Sequence, residues 1–287
     1  MYCDFFGFSE KPFTITPNPH FVFLSSVHRE AFARLLYGVD SHAGFITLTG
    51  EVGTGKTTML RTLLAQLDPE KYRSALIFNP CISGEQLLDG ICHEFGIEMG
   101  DTSRVASLNI LYDYLIEQNS AGRTVVLVID EAQNLAPEVL EQVRMISNLE
   151  TERDKLIQIV LAGQPEMDKI LQRYDLRQLN QRVTVRCRLA PMKFDETVRY
   201  ISHRLKISGN RVPELFSRAA VKRIYRFSQG IPRLINIACE HALVLAWTRE
   251  VQMISPAIAA EVISELQPVD ERESLWFRIS RWLFAGR

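Results

Sequence analysis

The sequence predicts an α/β fold: a parallel five-stranded sheet with helices on both faces, followed by a small all-helical domain. Three observations predict it. Short, continuous apolar runs alternate with helix-period segments between residues 45 and 190, as they do where strands are covered on both faces of a parallel sheet. The first run leads directly into a glycine-rich loop that opens a helix. After Pro191 no strand-like run remains and only helical patterns follow.

The elements are justified in chain order. Residues 1–44 form an N-terminal aromatic segment (Phe5, Phe6, Phe8, Phe13) expected to pack on the core that follows. The core domain, residues 45–190, holds apolar runs at 45–49, 75–78, 125–129 and 157–162, each short enough for a strand. A fifth run, 183–189, alternates apolar and basic residues, as an edge strand does. Helices are expected at 57–66, 84–95, 108–119, 137–149 and 166–173, and Pro137 suits a first helical position. Residues 191–267 are expected to form the helical domain, with helices at 195–207, 213–227, 232–249 and 256–266. Three of these open with proline, Ser255 is a fitting cap before Pro256, and Gly230 stands where a left-handed residue ends a helix. Residues 268–287 remain as a tail.

The composition is that of a globular protein: 287 residues, 46% hydrophobic, 23% charged, net charge −1. Disorder and collagen-like structure are excluded, since apolar content is ample and there are only 15 Gly and 12 Pro. No apolar run approaches the roughly 20 residues needed to span a bilayer. The N-terminus has an acid and an early Phe pair where a cleaved signal peptide has a basic head. The five cysteines are scattered without a CxxC pair, which suits a reducing cytosol, and the six histidines form no metal-ligand set. The near-zero charge hides an asymmetry. Residues 1–175 carry 14 Lys/Arg against 24 Asp/Glu, and residues 176–287 carry 19 against 10. The basic part suits nucleic acid, anionic lipid, nucleotide phosphate, the acidic first part or plain solvent.

The strongest feature is Gly50-Glu51-Val52-Gly53-Thr54-Gly55-Lys56-Thr57, an instance of GxxxxGK[ST] between a strand and a helix. Glycines let the backbone wrap a phosphate with its N–H groups turned inward, and the helix that follows adds its free N–H groups and positive dipole end. Lys56 supplies charge for the β- and γ-phosphates, and the Thr57 hydroxyl can ligate Mg²⁺. The run Val125-Val126-Leu127-Val128-Ile129 ends in Asp130 and Glu131. Ligands bind at the carboxyl ends of such strands. Asp130 is placed to hold Mg²⁺ and Glu131 to deprotonate an attacking water. No NKxD guanine motif occurs, which favours ATP over GTP. Gln164, just past the fourth strand, either touches the water or γ-phosphate or is a turn residue before Pro165. Asn79 either hydrogen-bonds Glu131 or caps a turn before Pro80.

Together these residues resemble the AAA+ branch of P-loop ATPases, and most closely the secretion ATPases of the general secretion pathway protein A (ExeA/GspA) type, including relatives from exosortase and exopolysaccharide loci. The phrases that carry the resemblance are FFGFSEKPFTITPNPHFVFLSS, LTGEVGTGKTTMLRTLL, VIDEAQNL, NLETERDKLIQIVLAGQPE, LRQLNQRV and GIPRLIN. They cover residues 1 to about 267. The resemblance implies a Walker A loop at Gly50, Glu51, Val52, Gly53, Thr54, Gly55, Lys56 and Thr57, with Thr58 next to it among the nucleotide-binding residues. It implies a Walker B pair at Asp130 and Glu131, sensor 1 at Gln164 and sensor 2 at Arg233. It places an arginine finger at Arg182, with Arg177 as the second choice. A surface salt bridge is the alternative role for either Arg182 or Arg233. The N-terminal aromatics would be core or a cover for the adenine.

The resemblance also implies ATP and Mg²⁺ as ligands and a ring-like homo-oligomer formed with ATP. It implies a cytoplasmic protein that meets an inner-membrane partner of a secretion or surface-polysaccharide export system. Longer family members continue through a membrane span into a peptidoglycan-binding domain; this sequence stops at Arg287, so direct cell-wall binding is not expected of these residues. In the tail, Leu275, Trp276, Ile279, Trp282 and Leu283 share one helical face, with Arg278 and Arg281 on another. That pattern suits a peripheral membrane contact through residues 274–287, a groove on a partner, or packing on the chain's own helical domain. A DNA-associated regulator of the transposition type is the alternative function.

Overall fold

A computed structural model of the chain describes residues 2–16, 18–78, 83–98, 104–150, 155–209, 212 and 214–267. Its contacts divide it into two compact units, Leu24–Ala190 and Met1–Phe23 with Pro191–Arg287. The first helix, α1 (Tyr2–Phe6), belongs to the second of these.

The α/β unit begins with α2 (Ser26–Asp40), which no sequence pattern singled out. Ser25 caps it, its hydroxyl accepting from the His28 N–H, and Ala31, Phe32, Leu35 and Val39 form its buried face. Gly38 lets α2 lie close against the sheet, since a Cβ there would sit 2.7 Å from Ile46 Cδ1. The chain then runs β1 (Phe45–Gly50), α3 (Lys56–Gln66), β2 (Tyr72–Ile77), α4 (Gly84–Glu94), α5 (Arg104–Ser120) and β3 (Thr124–Ile129). It continues through α6 (Pro137–Ile146), β4 (Ile157–Gly163), α7 (Glu166–Leu171), α8 (Arg177–Arg182) and β5 (Val183–Leu189). All five expected strands form. β2 starts earlier than its apolar run because Tyr72, Arg73 and Ser74 pair with β3 while remaining partly exposed at the sheet edge.

The strand order is β2-β3-β4-β1-β5, every pair parallel. Alternate residues of one strand feed two cores, which explains the continuous apolar runs. Val125, Leu127 and Ile129 of β3 pack with α4, α5 and α6, while Val126 and Val128 pack with α2 and α3. Each such fully buried side chain contributes about 1.5–3 kcal/mol of transfer free energy. The three central strands end side by side, with Thr49 opposite Gly163 and Ile129 opposite Leu161. Their carboxyl ends therefore deliver the glycine loop, Gln164 and Asp130 to one edge of the sheet.

The helical unit contains α9 (Phe194–Ile207), α10 (Arg218–Ser228), α11 (Pro232–Thr248) and α12 (Pro256–Leu266). Here two expectations are corrected. The segment 1–44 does not pack as one piece on the α/β core. It divides at Phe23, and Tyr2, Phe6, Phe8 and Phe13 join the core of the helical unit. The physical reason is α11, whose Ile235, Ala238, Cys239, Ala242, Leu243 and Ala246 are all buried. A helix apolar on so many sides needs more cover than three short helices supply, and the N-terminal aromatics complete it. Polar contacts fix them there: the Tyr2 hydroxyl donates to Glu240 Oε1 at 2.7 Å, and the Ser9 N–H donates to the Ser208 carbonyl at 2.8 Å. The second correction is the start of α10, at Arg218 and not at 213. Ser217 caps it, its hydroxyl accepting from the Ala220 N–H. Just before the cap, Phe216 bridges in parallel to Ile254, with the Ile254 N–H donating to the Leu215 carbonyl at 2.7 Å. Pro213, Asn79 and residues 268–287, with Arg278 and Arg281, lie outside the described residues. Among the described residues no helix is long and apolar enough to cross a membrane.

The turn between α10 and α11 is tightly specified. Gln229 adopts a left-handed φ of 50° as the cap of α10, and Gly230 follows at φ 80°. The Met192 N–H donates to the Gly230 carbonyl at 3.0 Å. A Cβ on Gly230 would fall 1.9 Å from the Met192 carbonyl oxygen, so only glycine fits.

Candidate functional site

The loop between β1 and α3 has the backbone that its sequence demands. Gly53 and Gly55 take φ values of 79° and 102°, conformations closed to ordinary residues. Gly50 is required for space, since a Cβ would lie 2.9 Å from Thr54 Oγ1. The Thr54 hydroxyl donates to the Glu51 carbonyl at 2.7 Å and closes the loop on itself. Among the described residues, none of the backbone N–H groups from Gly55 to Thr58 donates a hydrogen bond to the protein; the first N–H to do so is that of Met59, to the Gly55 carbonyl. This is a cradle of free donors at a positive helix end, the chemistry that phosphate requires. Val52 and Glu51 are exposed at the outer turn of the loop.

Lys56 is only 5% exposed, and its Nζ donates to the Gly50 carbonyl at 2.8 Å and the Glu51 carbonyl at 3.3 Å. Burial pushes its ammonium below the usual lysine range, against the opposing pull of Glu131, Asp130, Glu51 and Glu166. The Thr57 hydroxyl donates to Asp130 Oδ2 at 2.6 Å. Asp130 is 2% exposed, and its other oxygen accepts from the Glu131 N–H at 2.9 Å. A hydroxyl and a carboxylate side by side are hard oxygen donors, and their pairing fits Mg²⁺.

Glu131 carries a left-handed φ of 54°, a strained conformation for a residue with a side chain. Gln133 holds its carboxylate: the Gln133 amide donates from Nε2 to Glu131 Oε2 at 2.6 Å. The same amide accepts, through Oε1, from the Gln164 N–H at 3.1 Å. One amide thus ties the end of β3 to the end of β4. Gly163 makes room for it, because a Cβ there would stand 2.8 Å from Gln133 Oε1. Sequence reasoning passed over Gln133, although it lies in the same short run, Asp130-Glu131-Ala132-Gln133, as the two acids.

A second residue passed over is His28 of α2. It is 6% exposed, its Nδ1 lies 2.7 Å from Ser25 Oγ, and its Nε2 lies 2.9 Å from the Thr54 carbonyl oxygen. Nothing in its sequence neighbourhood marks it, since its partner is 26 positions away.

The expected site residues therefore fall into three places. Gly50 to Thr58, Asp130, Glu131 and Gln164 converge at the carboxyl edge of the sheet. Arg182, at the end of α8, donates to Ser147 Oγ at 3.2 Å and to Asn148 Oδ1, beside the end of α6. Arg177 is exposed and stacks over Tyr174 at 4.9 Å. Arg233 is exposed at the second position of α11, in the other unit.

The chain has relatives. The AAA domain family matches residues 39–171. General secretion pathway protein A of Aeromonas hydrophila is 45% identical over 250 residues, covering 87% of this chain and 45% of that protein. DNA polymerase III subunit gamma of Buchnera aphidicola is 26% identical over 69% of this chain and 51% of its own length. The chain thus spans about half the length of the curated relatives it matches. Among solved structures it is similar in fold to Cdc6p from Pyrobaculum aerophilum, with 22% identity, a TM-score of 0.69, and 86% of this chain and 70% of that one covered. RuvB of Thermotoga maritima superposes with a TM-score of 0.58 at 16% identity, over 85% of this chain and 70% of its own. At these identities the likeness is one of fold.

Proposed function

The chain is a GspA-like AAA+ P-loop protein, and from that premise we propose that it hydrolyses ATP with Mg²⁺. The work of that cycle is to drive or regulate assembly of a membrane-bound secretion or surface-polysaccharide export system. The observation that carries the reading is the convergence of three parts at one sheet edge: the free N–H groups of the glycine loop, the Thr57–Asp130 pair and the Glu131 carboxylate held by Gln133.

Each residue then has a role. The loop from Gly50 to Thr58 binds the phosphates, and Lys56 exchanges its contacts with the Gly50 and Glu51 carbonyls for phosphate oxygens. Thr57 and Asp130 would hold Mg²⁺, and the ion when bound would supply positive charge to the phosphate oxygens. Glu131 takes the proton of the attacking water, and Gln164 orients that water or the γ-phosphate. Arg182 of a neighbouring copy and Arg233 neutralise charge in the transition state. That role for Arg182 requires a homo-oligomer and release of its contacts with Ser147 and Asn148. The setting is the cytoplasmic face of an inner membrane, beside a membrane partner protein.

Glu131→Gln tests the assignment. It is expected to bind ATP as the wild type does and to lose turnover by about a hundredfold or more. Equal turnover in the two proteins would overturn the base. Association with export machinery is tested by pull-down from detergent-solubilised membranes; recovery without any membrane protein would remove that part of the proposal.

A further inference from the structure

We infer that His28 is a positioning residue of the phosphate loop, one that orients the Thr54–Gly55 peptide so that its N–H is available to a nucleotide phosphate. The inference rests on the nucleotide reading of the loop and names a residue outside it.

The Thr54 carbonyl accepts only, so the His28 nitrogen facing it at 2.9 Å, Nε2, carries the proton. Neutral imidazole then leaves Nδ1 as an acceptor, and the Ser25 hydroxyl at 2.7 Å donates to it. Ser25 thereby selects the tautomer that holds the loop, as the outer partner of a ligating histidine does in other sites. Both groups are nearly dry: His28 is 6% exposed and Ser25 2%.

The consequence follows from peptide geometry. In a trans peptide the C=O and the next N–H point in opposite directions. Turning the Thr54 carbonyl toward α2 turns the Gly55 N–H away from it. The same contact keeps that carbonyl from the Thr58 N–H, which would otherwise take it as the first bond of α3. Among the described residues, neither the Gly55 nor the Thr58 N–H has a protein acceptor. Gly55 accommodates the arrangement with its φ of 102°, and even a Cβ there would stand 3.6 Å from His28 Nε2. Without His28, a one-residue extension of the helix would consume one phosphate donor and rotate another.

Two near-isosteric substitutions separate this role from simple support of α2. Gln places a side-chain N–H near the position of Nε2, whereas Asn reaches only that of Nδ1. Binding of a fluorescent ADP analogue is measured for wild type, Lys56→Ala, His28→Gln and His28→Asn, with the thermal midpoint of each protein recorded without nucleotide. We expect His28→Gln to bind within about threefold of wild type and His28→Asn to bind about tenfold more weakly. Those affinities should not track the midpoints. Equal affinity of the Asn variant and wild type, or equal weakness of the Gln and Asn variants, would overturn the inference. Absence of binding by wild type, or equal binding by wild type and Lys56→Ala, would instead overturn the nucleotide reading beneath it.

Discussion

Gln133 shows at the scale of single residues what the sequence could and could not convey. Lys56, Thr57, Asp130 and Glu131 were legible because each belongs to a short run whose chemistry requires those residue types. Gln133 was not, because its work depends on Gln164, 31 positions away, and on the gap left by Gly163. His28 was hidden for the same reason. The amide of Gln133 meets a carboxylate with its donor side and an N–H with its acceptor side, so its orientation is fixed by both neighbours. Gln133→Ala should therefore lower kcat about tenfold, the worth of one hydrogen bond to a charged group, with KM changed less than twofold. Gln133→Glu should be slower still, since it sets two carboxylates against each other. Steady-state kinetics checks both. Lys56 lends itself to a different measurement. A buried ammonium that leans on two carbonyls costs stability, which an apolar side chain of similar length would not. Lys56→Met should raise the thermal midpoint of the nucleotide-free protein while abolishing nucleotide binding.

Elements were legible where burial was symmetric. The strands of the central sheet are apolar on both faces and announced themselves; β2, partly exposed at the edge, was recognised only in its second half. Helix α2 went unread because its apolar stripe is interrupted by His28 and Gly38, residues selected for contacts with the loop and the sheet. The start of α10 was misjudged because a proline is a weaker signal than a serine cap four residues on. The joint between α10 and α11 gives a sharp test. Gly230→Ala puts a Cβ against the Met192 carbonyl in a left-handed conformation and should destabilise the helical unit by roughly 3 kcal/mol, read by urea denaturation. Two core thiols give another. Burial pushes Cys92 of α4 and Cys187 of β5 up to about 11. The stability they contribute is complete below the ordinary thiol value near 9 and is lost as pH rises through about 11. The thermal midpoint should fall across that window, and less so in the Cys92→Ala/Cys187→Ala double variant.

For the whole molecule, the sequence told the two architectures apart but not which residues belong to which. Nothing local says that Phe6, Phe8 and Phe13 serve helices that begin at Phe194. A chain lacking residues 1–23 should keep the sheet and lose the helical unit, seen as a lower helix signal in circular dichroism with a surviving cooperative transition. The role proposed for Arg182 on a neighbouring copy belongs to this scale as well. If Arg182 works on a neighbouring copy, specific ATPase activity should rise with protein concentration, and Arg182→Ala should flatten that rise while leaving nucleotide affinity unchanged.

The split origin of the helical unit also bears on how the protein is made. Residues 1–23 leave the ribosome before the whole of Leu24–Ala190, and the helices that will cover their phenylalanines follow it. At roughly 5–20 residues per second, an exposed aromatic ribbon waits about 10–50 s for its partners. During that interval the α/β unit can complete its own core before α9 to α12 emerge to cover the ribbon. Overexpression at high temperature, where the nascent ribbons of many chains meet, is the condition under which this protein should aggregate most readily.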